Sequence, residues 1–128
     1  MPATSPLRIV ADVEGAIAKL EGSLADICIA VTPASRSPYF NMVKFLDDET
    51  CELVIKPDEA VTRRQDAPDV FDITTVVYIS TPGFIQNKGS LFSGTVTSVV
   101  VPKDRAVDID DIYDFILAES IINKIKNE

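Results

Sequence analysis

In Val107-Asp108-Ile109-Asp110-Asp111 an extended backbone would put residues i and i+2 on one side, so Asp108 and Asp110 present two carboxylates together while Ile109 turns toward the core. Two hard oxygen donors at the end of a strand suit Mg²⁺, which takes one or two carboxylates and completes its shell with water and substrate phosphate. The same run also reads as a helix start, with Asp110 capping, Asp111 complementing the dipole and Asp108 solvated. Arg63-Arg64 is the second constellation. Paired guanidinium groups can clamp a carboxylate or phosphate in bidentate fashion, or lie in solvent opposite Asp58, Glu59 and Asp66. Arg8, following the hydroxyl-rich turn Thr4-Ser5-Pro6, can meet an anion at a helix entrance or simply help cap it.

What surrounds these residues narrows the chemistry. The chain has 128 residues, long enough for one domain with a core, and 46% of them are apolar and 25% charged, an ordinary globular balance. Twelve Lys and Arg against twenty Asp and Glu leave a net charge of −8, which disfavours nucleic acid as a partner because phosphate binding needs a basic footprint. With no histidine in the sequence, a His-based triad and any zinc site with imidazole ligands are excluded within these residues. Cys28 lies in the apolar run Ile27-Cys28-Ile29-Ala30-Val31 and is read as a buried reduced thiol, with Cys51 as a second free cysteine. No run approaches the apolar length of a membrane span and no signal peptide is recognisable at Met1, so the expected compartment is a reducing cytoplasm.

The elements that must position these groups follow from periodicity. Asp12 is expected to cap a helix whose stripe is Val13, Ala16, Ile17 and Leu20 and which stops at Gly22. Residues 27–32 are continuously apolar, as in a strand buried on both faces of a parallel or mixed sheet. Residues 41–46 and 51–55 read as short strands joined by the polar turn Asp47-Asp48-Glu49-Thr50, inside an excursion over 35–69. The sheet resumes at 71–80 and again at 96–101, with a short helical turn after Pro82 between them. A last helix starting at Asp110 or Asp111 is expected to bury Ile112, Phe115, Ile116, Ile122 and Ile125. The result is an α/β layer of three central strands with long edges, short of cover without further chain or a partner.

Four blocks in order give a specific resemblance. They are Thr4-Ser5-Pro6-Leu7-Arg8, then Ser37-Pro38-Tyr39-Phe40-Asn41-Met42-Val43, then Arg63-Arg64-Gln65-Asp66-Ala67-Pro68-Asp69-Val70-Phe71, then Val107-Asp108-Ile109-Asp110 ahead of Asp114-Phe115 and Ala118-Glu119. Together they resemble the acylneuraminate cytidylyltransferase family, whose members join CTP to a sialic acid or related nine-carbon keto-sugar and release pyrophosphate. The resemblance implies a partial three-layer, Rossmann-like nucleotide-diphospho-sugar transferase fold carrying a β-hairpin dimerisation arm at 35–69, within a single domain over 1–128. It implies that Asp108 and Asp110 are the catalytic, Mg²⁺-binding pair, that Arg64 reaches the sugar carboxylate in a partner's site, and that Ser5 and Arg8 line the sugar side of the cleft. Thr74-Thr75 stands where the family has Asn-Gly, which places Thr74 among the substrate-binding candidates. The Gly-, Ser- and Lys-containing loop that cradles the triphosphate in the family is not among these residues, so the 128 residues resemble its C-terminal portion and are expected to be inactive alone. The departures favour a bacterial sugar, of the kind placed on surface glycans or flagellin, over sialic acid itself. The alternative is a non-catalytic dimerisation or binding module made from the same fold.

Overall fold

In the computed structural model, which describes residues 1–56, 64–87 and 89–128, the elements in chain order are α1 (Val10–Glu21), β1 (Ile27–Pro33), β2 (Val43–Phe45), β3 (Cys51–Leu53), β4 (Phe71–Ser80), α2 (Pro82–Gln86), β5 (Val96–Val100) and α3 (Ile112–Lys126). Single 3-10 turns occupy Arg64–Asp66 and Leu91–Ser93. Met1–Pro33 with Asp72–Glu128 forms one compact unit and Ala34–Phe71 another.

In the first unit α1 begins earlier than expected. Ile9 is the N-cap, and Asp12 sits at the third helical position, where its carboxylate accepts the Ile9 N–H at 3.0 Å while its own N–H donates to the Ile9 carbonyl at 3.1 Å. Asp12 is therefore not the cap. Its carboxylate is needed inside, where it is buried against Arg105. Three of the four stripe residues face inward, Ala16 fully buried with Val13 and Leu20 packed beside it, whereas Ile17 is exposed.

β1 is the central strand of the order β4-β1-β5, and its first five residues are all buried, as a continuously apolar run requires. It pairs in parallel with β5, from Ile27 opposite Val96 to Val31 opposite Val100. β4 runs the other way, since Thr81 N–H donates to Asp26 O at one end and Thr74 Oγ1 to Ala30 O further along. The sheet is thus mixed. Alternation along β1 divides its side chains: Cys28 and Ala30 face Ala16 of α1, with Val76 and Val101, whereas Ile27, Ile29 and Val31 face Phe84, Leu91 and Val96. A helix covers one face and the short α2 segment and 3-10 turn cover the other, an α/β layering compatible with part of a Rossmann-like fold.

α3 departs from expectation. Its buried contact is Ala118, with Ile121 and Ile122 alongside, against Leu7, Val107 and Ile109. Ile112, Phe115, Ile116 and Ile125 are exposed. Small Ala118 lets the helix approach closely along this narrow i, i+3, i+4 stripe, which turns the bulkier residues outward.

In the second unit β2 and β3 form the expected hairpin, antiparallel with Val43 opposite Leu53 and Phe45 opposite Cys51. Lys44 faces Glu52 across the ladder at 3.4 Å, and Glu52 also meets Lys56 at 3.0 Å. Glu49 takes a left-handed backbone, φ 65°, in the connecting turn. Both cysteines are free thiols, Cys28 buried and Cys51 exposed. Burial raises the Cys28 thiol pKa above its ordinary value, although Lys19 pulls the other way.

Candidate active site

The carboxylate segment is held at three points. After β5, Val101 N–H extends the ladder to Val31 O at 2.8 Å, and a tight turn follows in which Arg105 N–H donates to Pro102 O at 3.0 Å. Arg105 then grips Asp12 in bidentate fashion, Nη2 to Oδ1 at 2.9 Å and Nε to Oδ2 at 3.1 Å. Beyond the turn Ile109 N–H donates to Thr4 O at 2.9 Å, tying the segment to the Thr4-Ser5 turn. Val107 and Ile109 both join the cluster around Leu7 and Ala118, so the alternate positions are left to Asp108 and Asp110.

The two carboxylates differ. Asp108 is half-buried, and its Oδ1 is a buried oxygen with no hydrogen-bond partner. Asp110 is exposed. The capping alternative goes to the next residue: Asp111 is the N-cap of α3 and its Oδ1 accepts the Asp114 N–H at 2.9 Å. Asp114 reciprocates, its Oδ2 accepting the N–H groups of Asp110 at 3.0 Å and Asp111 at 3.3 Å. Capping Asp110's neighbour consumes no oxygen of Asp110 itself.

A hard divalent cation fits this donor set. An orphaned buried carboxylate oxygen costs free energy unless a donor or a cation meets it, and Mg²⁺ needs only one or two protein carboxylates. Among the described residues no group of three or more Cys, Asp or Glu side chains gathers that could hold a metal ion by itself.

The other predicted residues lie in distinct settings. Ser5 is buried, and its hydroxyl is 2.5 Å from that of Thr75 on β4. Arg8 is spent on its own turn: Nε donates to Ser5 O at 3.1 Å and Nη2 to Pro2 O. Those two bonds stiffen the turn that presents Ser5 and Thr4. Thr74 is buried with its hydroxyl fully engaged, donating to Ala30 O at 3.2 Å and accepting Val76 N–H at 3.3 Å. It braces the sheet, and the hydroxyl directed to Ser5 belongs to Thr75. Arg64 opens a 3-10 turn in the second unit. Its side chain and the whole of Arg63 lie outside the described residues.

Sequence reasoning missed the Asp12–Arg105 pair, whose members are 93 positions apart. Burial raises the Asp12 pKa, but the hydrogen bonds from Arg105 and from Ile9 N–H, with the Arg105 charge, outweigh it and hold the carboxyl below its ordinary value. The only local signal was an acidic residue directly before an apolar stripe. A cleft of about 500 Å³ opens beside this pair, lined by Asp12, Gly15, Lys19 and Val101 among others, and a second of about 520 Å³ lies at Asp26, Thr81 and Gly94. Neither is lined by Asp108, Asp110 or Ser5.

Comparison with known proteins gives two informative relatives. A post-translational flagellin modification protein B of Campylobacter coli is 29% identical over 125 residues, 97% of this chain and 52% of the relative. A CMP-N,N'-diacetyllegionaminic acid synthase of Campylobacter jejuni is 33% identical over 100 residues, 77% of this chain and 40% of the relative. The chain spans about half the length of these curated relatives or less. No family model matches it.

Proposed function

For a chain that belongs to a cytidylyltransferase-like family, matched over part of its relatives' length, we propose a role in transferring CMP from CTP to a sialic-acid-like nine-carbon keto-sugar, with release of pyrophosphate. The observation that carries the reading is the carboxylate pair Asp108 and Asp110, one with an orphaned buried oxygen and the other free of the capping role that Asp111 performs. Both relatives' names point the same way, one to an activated legionaminic acid and one to flagellin modification.

In this reading the sugar's anomeric hydroxyl attacks the α-phosphate of CTP, giving its proton to water as the new O–P bond forms, and pyrophosphate leaves with the electron pair of the bond that breaks. Asp108 and Asp110 would hold Mg²⁺, which when bound neutralises charge developing on the phosphates. The chain's own contribution is positional. Arg105 and Thr4 fix the two ends of the segment carrying the carboxylates, and Arg8 stiffens the turn that sets Ser5 on the sugar side. A Gly-, Ser- and Lys-containing triphosphate cradle is not among the 128 residues, so these residues alone are expected to bind the cation without turning over CTP.

The test has two parts. Mn²⁺ titration followed by electron paramagnetic resonance should show a weak site lost in Asp108→Asn, and pyrophosphate release with CTP, Mg²⁺ and N,N'-diacetyllegionaminic acid should stay at background. Absence of the Mn²⁺ site would refute the carboxylate assignment, and turnover at an ordinary enzyme rate would refute the inactivity.

Residues 35–69 are proposed as a homodimer arm, in a cytoplasmic protein. Support comes from Phe45, 81% exposed, with Met42 and Val43 also exposed on the same hairpin, since aromatic and Met side chains are enriched in interface cores. Among the described residues no helix is long and apolar enough to cross a membrane. Light scattering of the parent and Phe45→Asp decides the arm: a monomeric parent refutes it.

A further inference from the structure

We propose that Thr75 is a specificity-determining residue of this site, donating a hydrogen bond from its hydroxyl to an acceptor oxygen of the sugar acid. The inference rests on the function proposed above and adds to it a residue that the sequence pattern passed over in favour of Thr74.

Proton bookkeeping in a two-hydroxyl pair carries the argument. Each hydroxyl owns one hydrogen and can accept further bonds. Ser5 Oγ and Thr75 Oγ1 lie 2.5 Å apart, and among the described residues each is the other's only hydrogen-bond partner. One hydrogen fills that contact, so the other must point elsewhere. Ser5 is 1% exposed, and if it only accepted, its own hydrogen would be buried with nothing to receive it. Ser5 therefore donates and Thr75 accepts. The hydrogen left over belongs to Thr75, a residue of intermediate burial where Ser5 is fully buried.

The surroundings make that hydrogen useful. Ser5 adjoins Thr4, whose carbonyl receives the N–H of Ile109, the residue between the two carboxylates. The donor thus stands one turn residue away from the segment proposed to face substrate. A hydroxyl that already accepts a hydrogen bond donates a stronger one, because the chain of dipoles is mutually polarised. Thr74 cannot do this work: its hydroxyl is occupied on both sides within the sheet. Strand alternation sends its neighbour to the opposite face.

The experiment titrates the diacetylated nine-carbon keto-sugar used above into the full chain, by ligand-observed NMR, for the parent, Thr75→Ser, Thr75→Val and the double variant Ser5→Ala/Thr75→Val. Thr75→Val should weaken sugar binding roughly tenfold or more, and Thr75→Ser should restore it to within about threefold of the parent. Because the Val variant strands the Ser5 hydrogen, the double variant removes both hydroxyls and should melt at higher temperature than Thr75→Val while binding sugar just as weakly. A smaller loss in Thr75→Val, or recovery of affinity in the double variant, overturns the Thr75 assignment alone. A parent chain that binds no sugar overturns the proposed function and this inference with it.

Discussion

Arg105→Met should destabilise the first unit by about 2 kcal/mol. The reasoning starts from Asp12, whose side chain is 4% exposed and which would keep only the Ile9 N–H at 3.0 Å once the guanidinium is gone. Removing one partner of a fully buried ion pair costs about 3–5 kcal/mol. The Arg105 side chain is 30% exposed, so water can approach the site and the cost falls below that range, to about 2 kcal/mol. For a unit of this size the loss corresponds to a fall of roughly 10 °C in Tm. Asp12→Asn is milder, at about 1 kcal/mol, because the amide oxygen still accepts the Ile9 N–H and the partly exposed guanidinium finds water. In the double variant Asp12→Asn/Arg105→Met the buried charge is gone, so the total should be about 2 kcal/mol in place of the additive 3. Urea unfolding of the four proteins measures this coupling of about 1 kcal/mol. Additivity within about 0.3 kcal/mol, or an Arg105→Met cost below about 0.5 kcal/mol, would refute the claim that the pair fixes the turn before Val107.

Acid should expose the same pair. Asp12 has a folded pKa depressed below 3.8, so its contribution is complete above that value and is lost as pH falls through the folded pKa; the stability difference between parent and Arg105→Met should therefore shrink below about pH 3.8, seen in melts from pH 7 to pH 2. Asp111→Ala should cost about 1 kcal/mol of stability and leave Mn²⁺ binding intact, whereas Asp108→Asn should abolish Mn²⁺ binding and change stability by less than about 1 kcal/mol, by melting and titration side by side. Iodoacetamide should label Cys51 rapidly and Cys28 only on unfolding, by mass spectrometry of the native and urea-treated chain, because burial both hides the Cys28 thiol and raises its pKa.

Large-scale periodicity was legible in the sequence because burial acts on whole runs. The continuous apolar stretch at 27–32 could satisfy itself only with cover on both faces, and it became the central strand. The polar turn between residues 41–46 and 51–55 fixed a hairpin, although the ladder proper is shorter, Val43–Phe45 against Cys51–Leu53. α3 was legible as a helix but not in its orientation, because apolar residues stand at so many phases that the pattern names no unique face. Asp12 is the third helical residue and not the cap, a choice the local sequence leaves open because an acid in the first turn serves equally at either position, and Arg105, far along the chain, decides it.

At the candidate site two neighbouring pairs of identical residues are told apart by a shift of one position, and the two distinctions share a physical cause. In extended chain a shift of one position moves a side chain to the opposite face, and at a helix start it moves an acid from free to capping. Thr74 and Thr75 are chemically identical, yet β4 engages one inside the sheet and directs the other to Ser5. Asp110 and Asp111 are likewise identical, and the reciprocal bonds with Asp114 select Asp111. That selection bears on the chemistry. If Asp110 capped α3, its oxygens would be committed to helix N–H groups and could not share a cation with Asp108. Because Asp111 and Asp114 satisfy those donors, the helix start is stable without the Asp110 carboxylate, which is left out of the capping bonds.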